Sequence, residues 1–153
     1  MATNETDIPA RPDDVWAVLV DAYAFPDWVV GARRIRAVEP EWPAPGAAFH
    51  HEVGAWPFRL KDNTKVRELV APTRLVLEAR ARPAGVAVVT LTLEDRGAEG
   101  THLVMTEKPC AGPATLVPGP VMDALTRTRN AESLRRLRNL VEQRRGVHSP
   151  PPG

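Results

Sequence analysis

One stretch of this sequence sets the terms for the rest. Residues 120–145 read PVMDALTRTRNAESLRRLRNLVEQRR and hold neither glycine nor proline after the first position. A proline there suits a helix start, because its missing N–H would have had no partner. At about 100° per residue, Met122, Thr126, Ser133, Leu137 and Leu140 fall on one side, with Leu134 and Val141 at its edge. The other side carries Arg127, Arg135, Arg138, Glu142 and Arg145. Such a helix covers apolar surface with one face and meets water with the other. Its covering face changes along its length: leucines fill the second half, whereas Thr126, Asn130 and Ser133 occupy the first. The first half is therefore expected to roof a cavity, and the second to seal a core.

What the helix covers follows from the preceding periodicity, which is two between residues 33 and 110. Strands are expected at 33–39, 47–53, 58–70, 75–81, 86–94 and 101–108, separated by Pro- and Gly-containing turns such as Ala71-Pro72-Thr73 and Pro83-Ala84-Gly85. In the longest, Phe58, Leu60, Thr64, Val66 and Val70 share one parity, and Arg59, Lys61, Lys65 and Arg67 the other. Neighbouring antiparallel strands of this kind make a curved sheet, wet outside and apolar inside. Before them stand a possible edge strand at 3–9, a helix from Asp13 to Leu19 with an acidic first turn, and a second short helix at 25–30. Tyr23, Phe25 and Trp28 concentrate aromatic side chains there, so this pair is expected to plug one end of the domain. The only element long enough to bury the apolar face of the sheet is the C-terminal helix. The fold class is α+β: a helix-grip fold, with a curved antiparallel sheet around a long C-terminal helix and two short helices near the N-terminus. A single domain is expected at 1–146, followed by a disordered tail at 147–153.

Several function classes are disfavoured at this stage. The formal net charge of +1 gives no general attraction to nucleic acid or anionic membranes. The helix arginines are spread around its circumference, interrupted by Asp123, Glu132 and Glu142, with no aromatics interleaved for base stacking. They read as a solvated face, and no nucleic-acid partner is expected. Cys110 is the single cysteine, which excludes an internal disulfide and a multi-cysteine metal site. His50-His51 is not a metal signal, since adjacent strand residues point to opposite faces; no metal and no cofactor are expected. The N-terminus lacks the basic and apolar regions of a signal peptide, and no run approaches a membrane span, so cytoplasmic residence without membrane insertion is expected. Val86 and Val88 leave monomer and homodimer both open.

The sequence also resembles a family. Asp14-Val15-Trp16-Ala17-Val18-Leu19, then Phe25-Pro26-Asp27-Trp28 and Gly31, look like the opening of the START-like (SRPBCC) superfamily, in its polyketide cyclase/dehydrase-like branch. Pro45-Gly46 before a strand, Gly100-Thr101 opening the last strand, Glu107-Lys108-Pro109, and Arg129-Asn130-Ala131-Glu132-Ser133-Leu134 on the helix fit the same pattern. The similarity runs over roughly residues 5–145. These are motifs of helix starts, turns and packing, so they speak to fold more than to function. The resemblance implies a cavity for a small hydrophobic, aromatic or amphipathic molecule. Its members include lipid carriers, plant hormone and pathogenesis-related proteins and aromatase/cyclases acting on polyketides. No catalytic residue carries over, because this branch has no invariant triad or metal motif to match.

Candidate residues therefore come from parity and chemistry. His51 alternates with Phe49 and Val53, taken as inward; Asp62 and Glu68 share the parity of Leu60 and Thr64; Glu107 shares that of Leu103 and Met105. Asn130 and Ser133 face in from the helix, with Arg129 at the edge. The expected ligand-binding set is Trp28, Phe49, Phe58, Asp62, Glu68, Leu77, Leu91, Met105, Met122, Thr126, Arg129, Asn130 and Ser133. Glu107 and His51 are the candidate catalytic residues. A carboxylate in an apolar cavity has a raised pKa and can act as acid or base near neutrality. A polyketide cyclisation needs such a base to remove a proton between two carbonyls, and a donor such as Arg129 or Asn130 to polarise the carbonyl attacked.

Structural readings stand beside these. His51 also suits a hydrogen-bonded strand residue, and Asp62 in KDNTK also suits a bulge. Glu68 also suits the sheet rim, paired with an arginine of the next strand. Glu107 also suits a strand end, and Cys110 an inert packed thiol. Three functions remain open: a small-molecule binder, a polyketide cyclase/dehydrase-like enzyme, and a protein-interaction module of the same fold with a filled interior.

Overall fold

The computed structural model describes residues 1–55, 58–81 and 85–148, with side chains left out at 54, 55, 58, 59, 81, 147 and 148. Strand β1 (Ala2–Ile8) leads into helix α1 (Pro12–Leu19), a single 3-10 turn (Ala22–Ala24) and the one-turn helix α2 (Phe25–Trp28). Strands β2 (Ala32–Val38), β3 (Ala48–Ala55), β4 (Phe58–Val70), β5 (Arg74–Ala81), β6 (Gly85–Asp95) and β7 (Thr101–Ala111) follow, then helix α3 (Gly119–His148). The strands form one antiparallel sheet in the order β1-β7-β6-β5-β4-β3-β2. Consecutive strands are hairpin neighbours, except that β1 closes the far edge against β7, with Ala2 opposite Glu107 and Ile8 opposite Thr101.

Where β7 begins, its backbone comes so close to the end of β1 that only glycine fits. Gly100 has φ +94°, and a Cβ there would lie 2.2 Å from the Ile8 carbonyl oxygen. The next residue fastens the junction: the buried Thr101 hydroxyl donates to the Ala10 carbonyl at 2.7 Å.

Helix α3 presents Thr126, Asn130, Ser133, Leu134, Leu137 and Val141 as its buried stripe. Its phase is turned from the sequence expectation. Asn130 sits at the centre, drawn in by a hydrogen bond to Glu107, while Met122 and Leu140 are half-buried at the borders. The outward face carries Glu132 between Arg135 and Arg136, whose hydrogen bonds hold its carboxyl down to about 2.

The close neighbours of α3 are β1, α2 and α1 rather than the middle of the sheet. Leu134, Leu137 and Val141 join Ile8, Val15, Val18, Leu75, Leu93 and Leu103 in one apolar core. Phe25 and Trp28 belong to it too: Phe25 packs edge-to-face on Trp28 and on Phe49, and Trp42 on the other side of Phe49. Tyr23, expected in the same plug, is exposed.

Two bulges correct the parity reading. The β4–β5 ladder runs Val66 opposite Leu77, then Glu68 opposite Val76, leaving Arg67 as an extra residue. Beyond it the parity inverts: Leu69 packs on the core, while Glu68 and Val70 face water. A second shift leaves Cys110 on β7 as an extra residue between Ala111, opposite Val86, and Pro109, opposite Ala87, and both Val86 and Ala87 line the interior. At Asp62, where a bulge was one reading, the β3–β4 ladder is continuous.

Candidate functional site

Between the first half of α3 and the middle strands lies a cavity of about 650 Å³. It falls where the sequence places polar residues on the covering face. Leu134, Leu137 and Val141 reach the core, whereas Thr126, Asn130 and Ser133 are too short to fill the span and line a space instead. Met122, Thr126, Arg129, Asn130 and Ser133 form its roof. The sheet wall is mostly apolar, with Leu77, Val89, Leu91 and Met105 prominent, and Phe25 and Trp28 close one end. The turn Val29–Ala32 also contributes, held to the roof by the Val30 N–H donating to Ser133 Oγ at 3.1 Å.

Glu107 is the most elaborately held polar group in this wall. Its side chain is 10% exposed, against 43% for Arg129, which reaches in from α3 to donate to Oε2. Asn130 Nδ2 donates to the same oxygen at 3.0 Å. The carboxylate is thus ion-paired and hydrogen-bonded rather than isolated in apolar surroundings, as the sequence reading had it. Its other oxygen, Oε1, accepts no hydrogen bond among the described residues.

His51 is held differently. It is 2% exposed, its Nε2 lies 3.0 Å from Thr64 Oγ1, and Nδ1 has no hydrogen-bond partner among the described residues. Burial pushes its pKa below the usual histidine value, against the opposing charge of the neighbouring Asp62, so the ring is held neutral. Phe49 and Phe25 flank it at 5.5 and 6.1 Å between ring centroids.

Of the residues expected from sequence, Trp28, His51, Leu77, Leu91, Met105, Glu107, Met122, Thr126, Arg129, Asn130 and Ser133 line the cavity. Phe49 is fully buried behind the wall, packed on Phe25 and Trp42. Asp62 is buried beside His51 without reaching the cavity, and its Oδ1 accepts from the Asn63 N–H. Glu68 lies outside: the β4 bulge turns it to water, where Arg74 pairs with it at 3.1 Å. The Phe58 side chain lies outside the described residues. Cys110 is exposed rather than packed.

Sequence reasoning left out Thr64, Arg80, Val86 and Ala87, all of which line the cavity. The parities of Thr64 and of Ala87, which alternates with Val89 and Leu91, were visible; Val86 depends on the bulge, which leaves no mark in the sequence. Among the described residues, no group of three His, Cys, Asp or Glu side chains stands close enough to hold a metal ion. No helix among them is long and apolar enough to cross a membrane.

Comparison with known proteins gives the same architecture. The family described as Activator of Hsp90 ATPase homolog 1-like protein matches residues 9–142. No curated protein matches the sequence. A crystal structure from Nitrosomonas europaea superposes with a TM-score of 0.72 at 15% identity, covering 94% of this chain and 95% of that one. One from Chromobacterium violaceum gives 0.69 at 22% identity, covering 92% and 96%. A Staphylococcus aureus protein of unknown function gives 0.72 at 9% identity, covering 95% and 94%. At these identities the likeness is one of fold.

Proposed function

We propose, given that the chain belongs to the Activator of Hsp90 ATPase homolog 1-like family of the START-like (SRPBCC) superfamily, that it binds one small apolar or amphipathic molecule between the sheet and α3. The observation that carries this reading is the cavity itself. Its volume of about 650 Å³ suits a ligand site, and its wall is apolar with a few convergent polar groups. A filled interior is what the protein-interaction reading asks for, and the cavity counts against it. The test is native mass spectrometry of the purified protein, with extraction of anything bound, followed by thermal-shift measurements across lipid and polyaromatic compounds. A stoichiometric apolar adduct or a saturable rise in Tm is the expected result. An empty protein with no shift across the panel would overturn the reading.

A second reading, catalysis of polyketide cyclase/dehydrase type, has one specific observation behind it. Glu107 places a carboxylate oxygen in the cavity wall beside a guanidinium and an amide donor. A base beside donors is the pairing that proton abstraction next to a carbonyl requires: the base takes the proton, and a donor steadies the developing oxyanion. Under this reading Glu107→Gln abolishes turnover of a poly-β-carbonyl substrate while leaving its binding in place. Turnover that survives in both Glu107→Gln and His51→Ala would sink it.

A further inference from the structure

The polar groups of the cavity discriminate among amphipathic ligands, and this inference rests on the binding reading above. Glu107 Oε2 is taken by Arg129 and Asn130, whereas Oε1 accepts nothing among the described residues. Thr126 is 7% exposed, lines the same cavity, and makes no side-chain hydrogen bond among the described residues. Thr128, two residues further on, returns its hydroxyl to the helix backbone at 3.0 Å; Thr126 does not. The wall therefore offers the second oxygen of a largely buried carboxylate and a hydroxyl, both without protein partners among the described residues and both open to a ligand in the cavity.

Charge narrows the choice of donor. The Glu107 carboxylate and the Arg129 guanidinium already balance each other. A neutral group brought to Oε1 keeps that balance. A ligand carboxylate would bring a second anion to the same wall, and an ammonium a second cation beside Arg129; each is disfavoured where water is scarce. Among the described residues, the buried Trp28 Nε1 has no partner and can serve any acceptor, charged or neutral; a cation that favours an anion is Arg80, exposed at the rim of the cavity. It stands in water, where an ion pair contributes little.

We infer that the ligand is an apolar alcohol or phenol, whose hydroxyl donates to Glu107 Oε1 and accepts from Thr126, with its hydrocarbon body against Leu77, Val89, Leu91 and Met105. The cavity thus selects uncharged hydroxyl compounds over fatty or aromatic acids of the same body.

Three fluorescent probes of one shape test this: methylpyrene, pyrenemethanol and pyrenecarboxylate, titrated at about pH 7.5, where the last is ionised. The alcohol is expected to bind about tenfold more tightly than the carboxylate, or better. In Glu107→Gln, with Arg129 released, that preference narrows to within about threefold or reverses. Thr126→Val, which leaves the ion pair untouched, weakens the alcohol alone and serves should the Glu107 variant fail to fold. A carboxylate that matches or exceeds the alcohol in the native protein overturns the inference and leaves the binding reading standing. Failure of all three probes, methylpyrene included, overturns both.

Discussion

Glu107 and His51 both place a polar group in an apolar wall, and the protein holds them by different means. Glu107 is met at one of its oxygens by Arg129 and Asn130. Asn130→Ala removes the buried donor, and unfolding by denaturant is expected to show a loss of about 1–3 kcal/mol. His51 stays neutral, and that has a sign in pH. Its folded pKa lies below the ordinary value because of burial, so the unfolded chain takes up a proton first as pH falls. The stability it contributes is complete above the unfolded pKa and is lost as pH falls toward the folded one. Thermal unfolding between about pH 7.5 and 5.5 is expected to show a decline in Tm that His51→Gln reduces. How much of the site was legible follows from the same residues. Glu107, Asn130 and Ser133 were visible as polar residues on covering faces, because period and chemistry coincide there. That Glu107 is paired was not visible, because Arg129 approaches from another element, across 22 residues of sequence.

Elements were legible wherever periodicity runs unbroken, and misread where one extra residue breaks it. The 13 residues of β4 read correctly as a strand, yet one inserted residue, Arg67, reverses the facing of everything beyond it. A single sequence does not mark such a residue, since a bulge is a property of two strands in register. The same holds for the phase of α3, which Asn130 and Glu107 settle between them. The β1–β7 junction is the element-scale feature with the sharpest consequence. Gly100→Ala must force a side chain into the Ile8 carbonyl oxygen at a positive φ, and a loss of about 2–4 kcal/mol is expected in chemical denaturation. Gly97→Ala, with φ +61° but nothing within 4 Å, is the matched control and should cost about 1 kcal/mol.

For the whole molecule, the division of α3 into a sealing half and a roofing half separates stability from capacity. Ala79 lines the cavity, so Ala79→Phe is expected to reduce probe uptake about tenfold while Tm holds or rises, as thermal shift and fluorescence titration would report. A simultaneous collapse of Tm would mean that the two halves are not independent. The closure of the sheet by β1 has its own consequence, in the order of events during synthesis. Ala2 pairs with Glu107, so on a ribosome β1 has no β7 to pair with until about a hundred further residues have appeared. Until then β1 is a loose strand that other chains can capture, and a cell that makes this protein quickly has many such strands waiting at once.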